Sequence, residues 1–174
     1  VINIIDIPYK FKKIFEKNSK NSNYYIQKTF TKSIQFVKKN KVLGLINGPV
    51  SKKKFLKKKH QGITEYLTFL TKSKNTSMLI YNEKLSVSPL TTHIPLKSVV
   101  KKINKKIIIK KIKLLDKFYV ERLSIKPKIA VLGLNPHCET TDKFSEEEKI
   151  IIPAIKYIKK KKINIEGPFP ADTF

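Results

Sequence analysis

Cysteine, tryptophan and arginine are almost missing from this chain of 174 residues: Cys138 is its single cysteine, and there is no tryptophan. One thiol can neither close an intrachain disulfide nor build a cysteine-rich metal knuckle, so a reducing, cytoplasmic setting is expected. Long apolar runs are absent too. None approaches the roughly 18 residues of a membrane-spanning helix, no signal-peptide pattern stands at the start, and no membrane partner is expected. Of the 38 lysine and arginine residues, only Arg122 is an arginine. The formal charge of +25 by itself raises nucleic acid as a partner. Phosphates and guanines, however, are read best by the forked guanidinium group. Lysines spread along helix faces, with abundant isoleucine and asparagine, fit a codon bias toward A- and T-rich triplets better than a selected binding surface. Nucleic acid is therefore not the expected partner.

The length suits one sizeable core, or one lobe of a larger enzyme. The chain opens at Val1 without an initiator methionine and stops at Phe174 after a loop-like stretch, so a piece of a longer protein is expected. Residues 1–25 are polar after Ile7-Pro8 and predict a loop. Ile26, Phe30, Ile34 and Val37 recur at helical spacing and predict an amphipathic helix over 26–40. The apolar run 42–46, ending in Asn47-Gly48-Pro49, predicts a strand buried on both faces. Ser51 caps a short basic helix over 52–59, and a further helix covers 64–70 with Tyr66, Leu67 and Leu70 inward. Strands are expected over 77–81 and 85–90, then a helix beginning near Pro95, and then the longest helical pattern over 105–123. The stretch 128–134 is the clearest buried strand. Glu146-Glu147-Glu148 suits the N-terminus of the next helix, and 163–165 is a last short strand. Strands alternating with helices predict an α/β fold with a largely parallel sheet. The expected organisation is a partial leading region, 1–41, and a central part, 42–174.

Ligands in such folds gather at the carboxyl ends of strands. Four segments end strand-like runs with polar residues, glycine or proline: 47–52, 91–96, 133–137 and 167–173. Two of the three histidines, His93 and His137, lie in these loops beside prolines; the third, His60, lies in the basic stretch before Gly62. Imidazoles bind zinc and similar ions well, but a stable site needs three or four donors. Two histidines far apart in sequence are no recognisable motif. Asp172 reads equally as a turn residue after Pro170, Thr64 as the start of its helix, and Lys52 as one more surface lysine. The residues alone give an α/β lobe with polar strand ends and no reaction.

Taken in order, several segments resemble the 4-hydroxythreonine-4-phosphate dehydrogenase family. They are Thr92-His93-Ile94-Pro95-Leu96, Gly133-Leu134-Asn135-Pro136-His137, Glu146-Glu147 followed by Ile151-Ile152-Pro153, and Gly167-Pro168 with Pro170-Ala171-Asp172-Thr173. Weaker support comes from Gly48-Pro49-Val50-Ser51-Lys52 and Gly62-Ile63-Thr64-Glu65, and the likeness runs from about residue 42 to the end. The resemblance implies an isocitrate/isopropylmalate-dehydrogenase-like fold, with α/β/α lobes around a cleft, and a homodimer whose active sites are shared between subunits. It implies a divalent metal (zinc, magnesium or cobalt) held by three histidines. His93 matches the first and His137 the second; the third belongs to a Tyr-His-Asp-Gln segment beyond Phe174. It also implies substrate contacts from Thr64 and Asp172, the latter reaching toward the neighbouring subunit's site. The reaction implied is NAD- or NADP-dependent oxidation, with decarboxylation, of 4-phosphooxy-threonine to an aminoketone phosphate in vitamin B6 biosynthesis. Catalytic and nucleotide-binding residues are not assigned by it.

The chain departs from the family pattern at two places. Ile63 stands where the family has a histidine that contacts substrate, and Cys138-Glu139-Thr140-Thr141-Asp142 replaces a glycine-rich acidic loop. Isolated, the chain is expected to be inactive and to hold metal weakly, having two of the three histidines. The alternatives are a related dehydrogenase of threonate or erythronate 4-phosphate, or a non-catalytic basic protein that holds polyanions in a salt-sensitive way.

Overall fold

The computed structural model describes residues 2–11, 13, 17, 19–57, 59–141 and 143–173. Val1, Asp142, Phe174, Lys58 of the expected basic helix and positions 12, 14–16 and 18 of the leading polar stretch lie outside the described residues. The chain forms two compact units, Val1–Lys74 and Asn75–Phe174.

In the first unit, helix α1 spans Lys20–Lys38 and starts earlier than the apolar spacing alone predicts. Its start is fixed by hydrogen bonding. Ser19 and Ser22 form a reciprocal capping box, in which the Ser22 N–H donates to Ser19 Oγ (3.1 Å) and the Ser19 N–H to Ser22 Oγ (2.8 Å). Two donors that would otherwise lack partners are thereby satisfied. The turn Lys52–Leu56 follows, with Ser51 Oγ accepting from the Lys54 N–H at 3.3 Å. Helix α2, Ile63–Thr71, begins after Gly62. Phe30 of α1, Leu56 and Tyr66 of α2 form the buried centre of this unit. The Phe30 and Phe55 rings both meet Tyr66 edge-on, at 5.4 and 5.1 Å between centroids, a favoured geometry for aromatic pairs.

The expected strand over 42–46 does not form. Leu43 and Ile46 are 104% and 99% exposed, and only Leu45 leans on the aromatic cluster. A strand needs a neighbour to take up its backbone N–H and C=O groups, and no strand pairs with this run among the described residues.

The second unit carries the sheet. Strands β1, Ile129–Leu132, and β2, Ile165–Phe169, pair in parallel with Ile129 opposite Ile165 and Leu132 opposite Phe169. Between them the chain makes a helical turn, Glu147–Ile151, that runs into α5, Ile152–Lys159, so the unit is a strand–helix–strand crossover. Helix α4, Lys105–Leu123, matches its expected span and is capped by Asn104, whose Oδ1 accepts from the Ile107 N–H at 3.0 Å. Ile108 and Ile112 of α4 pack with Ile151, Ala154, Ile155 and Ile158 along one stripe of the crossover helix, and with Ile165 of β2. Ahead of α4, the short helix α3, Val99–Lys102, follows a tight turn over Leu96–Ser98.

Three expectations change here. The strands predicted over 77–81 and 85–90 reduce to one antiparallel pair, Ile80 with Val87. The strand over 128–134 is not buried on both faces, since its residues alternate between half-buried and exposed. The last strand begins at Ile165 and takes in Gly167-Pro168, which were expected to be loop. Glycine is required there: Gly167 has φ +123°, and a Cβ on it would collide with the Val131 carbonyl oxygen of the adjacent strand.

Candidate metal centre at the strand ends

Because β1 and β2 run in parallel, their carboxyl ends share one edge, where α/β sheets gather ligands. The loop 133–137 leaves β1, and Asp172 follows the end of β2. The Gly133 N–H donates to the Phe169 carbonyl at 2.9 Å, which ties the two exits together. His137 Nδ1 then lies 3.6 Å from Asp172 Oδ2, with both side chains exposed. That distance is too long for a hydrogen bond, but it lets the carboxylate bias the ring's Nδ1 face. Asp172, which the resemblance directs toward a neighbouring subunit, thus sits beside this chain's own imidazole.

His137 occupies a tight turn in which the Cys138 N–H donates to the Asn135 carbonyl at 3.1 Å. Pro136 holds the second position and His137 the third, with φ 55° and ψ 13°. A proline followed by a left-handed residue is the pattern of a type II turn, whose third position favours glycine or asparagine. A histidine there carries backbone strain of about 1–2 kcal/mol. The other left-handed residues sharpen this point. Asn40, Lys57, Lys72, Ser124 and Lys162 stand just past helical segments, where such a conformation is the ordinary way to end a helix. His93, with φ 54°, His137 and Cys138 are the remaining non-glycine cases among the described residues; His93 lies in a loop, and the other two lie in the single tight turn Pro136–Cys138. No α-helix ends at any of the three. Such conformations persist where the surroundings over-determine them, and they cluster at functional positions.

The surroundings of His137 centre on a residue that the sequence did not single out for chemistry. Glu147 is 1% exposed, and no other charged residue is buried among those described. Its Oε1 accepts from the backbone N–H groups of Leu134 (2.7 Å) and Asn135 (2.9 Å), and its Oε2 accepts from Asn135 Nδ2 (2.8 Å) and Ser145 Oγ (3.4 Å). Asn135 Nδ2 also donates to Glu146 Oε2 at 3.0 Å. Burial pushes the Glu147 carboxyl upward, but the bonds from Asn135 and Leu134 outweigh it and hold the group below the usual carboxylate range. A signal for this role was present. Glu147 falls one turn before Ile151 on the stripe of Ile151, Ala154, Ile155 and Ile158, an acidic residue at a core position. Glycine at 133 makes room for the arrangement, since a Cβ there would lie 2.5 Å from Cys138 Sγ and 3.2 Å from Glu147 Oε1. Burial and the Glu147 charge also raise the Cys138 thiol above its ordinary value, so this cysteine is not set up as a nucleophile.

His93 is exposed in the loop before α3. In the first unit, Thr64 sits in the opening turn of α2, which has no side-chain cap. Ile63 is half-buried against the Phe30–Leu56–Tyr66 cluster, and the His60 ring lies 5.3 Å from Tyr66 and 5.2 Å from Phe69, making it an aromatic-cluster residue. No group of three or more histidine, cysteine and acidic side chains capable of holding a metal ion forms among the described residues. The His93 and His137 imidazoles are the right chemistry for a borderline divalent ion, but as part of a donor set, not a whole one. No helix among the described residues is long and apolar enough to cross a membrane.

Comparison with known proteins supplies the family. The chain is 35% identical to a 4-hydroxythreonine-4-phosphate dehydrogenase of Sulfurihydrogenibium sp. (strain YO3AOP1), over 99% of its own length and 54% of the relative's. It is 30% identical to a D-threonate 4-phosphate dehydrogenase of Pectobacterium atrosepticum, over 99% of its length and 55% of that protein. The crystal structure of 4-hydroxythreonine-4-phosphate dehydrogenase from Klebsiella pneumoniae superimposes with a TM-score of 0.77 at 30% identity, covering 88% of this chain and 48% of that one. The chain thus spans about half the length of the relatives it matches. The model of the pyridoxal phosphate biosynthetic protein PdxA family matches residues 1–174, more of the chain than the motifs from residue 42 onward had implied, and the chain belongs to that family.

Proposed function

We propose that the chain is the metal-bearing part of an NAD- or NADP-dependent dehydrogenase that oxidises and decarboxylates 4-phosphooxy-threonine in pyridoxal phosphate biosynthesis. The observation that carries this reading is the pair of exposed histidines, His93 and His137, each held in a left-handed backbone conformation that no helix end requires. Both would donate to a divalent ion, with further donors from outside the described residues. When bound, the ion would supply stabilisation of negative charge on a substrate oxygen, and the nicotinamide would supply the hydride acceptor.

The chain's own residues prepare that chemistry. Asp172 stands 3.6 Å from His137 Nδ1, so its carboxylate faces that nitrogen and leaves Nε2 as the atom that would meet the ion. In the first unit, the uncapped N-terminus of α2 and the Thr64 hydroxyl offer hydrogen-bond donors to a phosphate oxygen. The enzyme acts in this reading as a cytoplasmic homodimer.

A second substrate is favoured by one observation. Ile63 turns its apolar side chain onto the aromatic cluster and gives no donor where the family has histidine. Threonate or erythronate 4-phosphate, which carries a hydroxyl in place of the amino group, is therefore the alternative. The deciding experiment is to supply the full-length protein with each substrate, NAD or NADP, and a divalent ion, and to follow nicotinamide reduction. Oxidation that a chelator abolishes is expected. Failure to oxidise either substrate, with metal and cofactor present, would overturn the proposal.

A further inference from the structure

We infer that Glu147 is a positioning residue for the metal centre: through Asn135 it fixes the turn that holds His137 in its strained conformation. The inference rests on the metal-centre reading above and extends it to a residue that touches neither metal nor substrate.

The geometry makes Asn135 the link. Its N–H and its side-chain amide both donate to the Glu147 carboxylate, at 2.9 and 2.8 Å. Its carbonyl accepts from the Cys138 N–H at 3.1 Å and so closes the turn around Pro136 and His137. The residue that opens the turn is therefore held on three sides before His137 is reached. A hydrogen-bonded carboxylate can do this because each oxygen accepts more than one bond in a fixed plane. Its burial excludes competing water, and its place one turn before Ile151, in the helical turn that runs into α5, anchors it to the core. Glutamine at 147 could still accept from the two backbone N–H groups, but its NH2 would face the amide of Asn135, donor against donor. Aspartate would be one methylene too short to reach the loop from the crossover helix.

A carboxylate that only stabilised the fold would change stability and leave the metal affinity of the folded protein intact. A positioning residue changes that affinity. The test is divalent cobalt or zinc titration of full-length wild type, Glu147→Gln, Asn135→Ala, the double variant and His137→Ala, each well below its unfolding temperature. Glu147→Gln and Asn135→Ala are expected to weaken metal binding by about 10–100-fold, the usual effect of losing a group that orients a ligand. The double variant should be weaker than Glu147→Gln alone by no more than about twofold, because both act along one chain of contacts.

Retention of wild-type affinity by folded Asn135→Ala, or losses that multiply in the double variant, would overturn the inference. If Glu147→Gln does not fold, Asn135→Ala carries the test alone. His137→Ala separates the two readings. If it binds metal like wild type, the metal centre fails as a proposal; if it loses metal while the other variants keep theirs, only the role of Glu147 fails. The clamp has a metal-free readout as well. The backbone carbon shifts of isotopically labelled His137 should leave the left-handed range in Glu147→Gln and Asn135→Ala, and unchanged shifts would again refute it.

Discussion

The two units solve the problem of burying an apolar surface differently. The first gathers rings: Phe30, Phe55 and Tyr66 meet between α1, a short turn and α2. The second gathers branched aliphatic side chains, chiefly isoleucines, under a pair of parallel strands. Both contain a short apolar run of nearly the same character, Val42-Leu43-Gly44-Leu45-Ile46 and Ile129-Ala130-Val131-Leu132. Only the second becomes a strand, because β2 lies beside it to take its hydrogen bonds. Apolar composition marks a segment as eligible for a sheet; a neighbour makes it one.

The sharpest way to break this contrast is in the aliphatic core. Ile158 is 0% exposed, so Ile158→Ala should cost about 2–5 kcal/mol in chemical denaturation of the second unit. A cost below about 1 kcal/mol would show that the core is looser than its packing indicates. Glu147 tests the polar side of the same unit. Its folded-state carboxyl titrates below the ordinary value, so its contribution is complete above the unfolded-state carboxylate range and is lost as pH falls toward the folded-state value. The difference in Tm between wild type and Glu147→Gln should therefore shrink on acidification; a gap that widens in acid would contradict the assigned hydrogen bonds.

A smaller effect is expected in the first unit, where Ser19→Ala removes the acceptor of the capping box and should lower stability by about 1 kcal/mol. Smallest of all is Leu43→Ser. Replacing a fully exposed leucine should move the stability of this chain by no more than about 0.5 kcal/mol. A larger loss would mean that the run 42–46 is covered after all.

These differences also explain what could be read beforehand. Helix α4 was legible to the residue because its ends are local, with Asn104 as a cap and Ser124 left-handed after Leu123. The start of α1 was missed because Ser19 and Ser22 stabilise a polar first turn that apolar spacing does not register. The run 42–46 was misplaced because pairing is non-local. At the candidate site, His137 was legible as a histidine in a strand-end loop, whereas the strand expected before His93 reduces to the Ile80–Val87 pair; the significance of both came from the family resemblance. Glu147 was hidden among three consecutive glutamates that all suit a helix start. Its place one turn before Ile151 distinguishes it from Glu146 and Glu148, and its burial follows from how the crossover helix lies on the core.

The bent backbone at His137 implies a trade between comfort and use. Glycine or asparagine tolerates a left-handed φ that histidine does not welcome, so His137→Gly and His137→Asn should melt no lower than the original protein, and His137→Asn slightly higher. Natural drift at such a position would be toward easier residues unless the imidazole itself were wanted. In the proposed metal centre, the imidazole itself would be the reason for a residue that makes its own loop less restful.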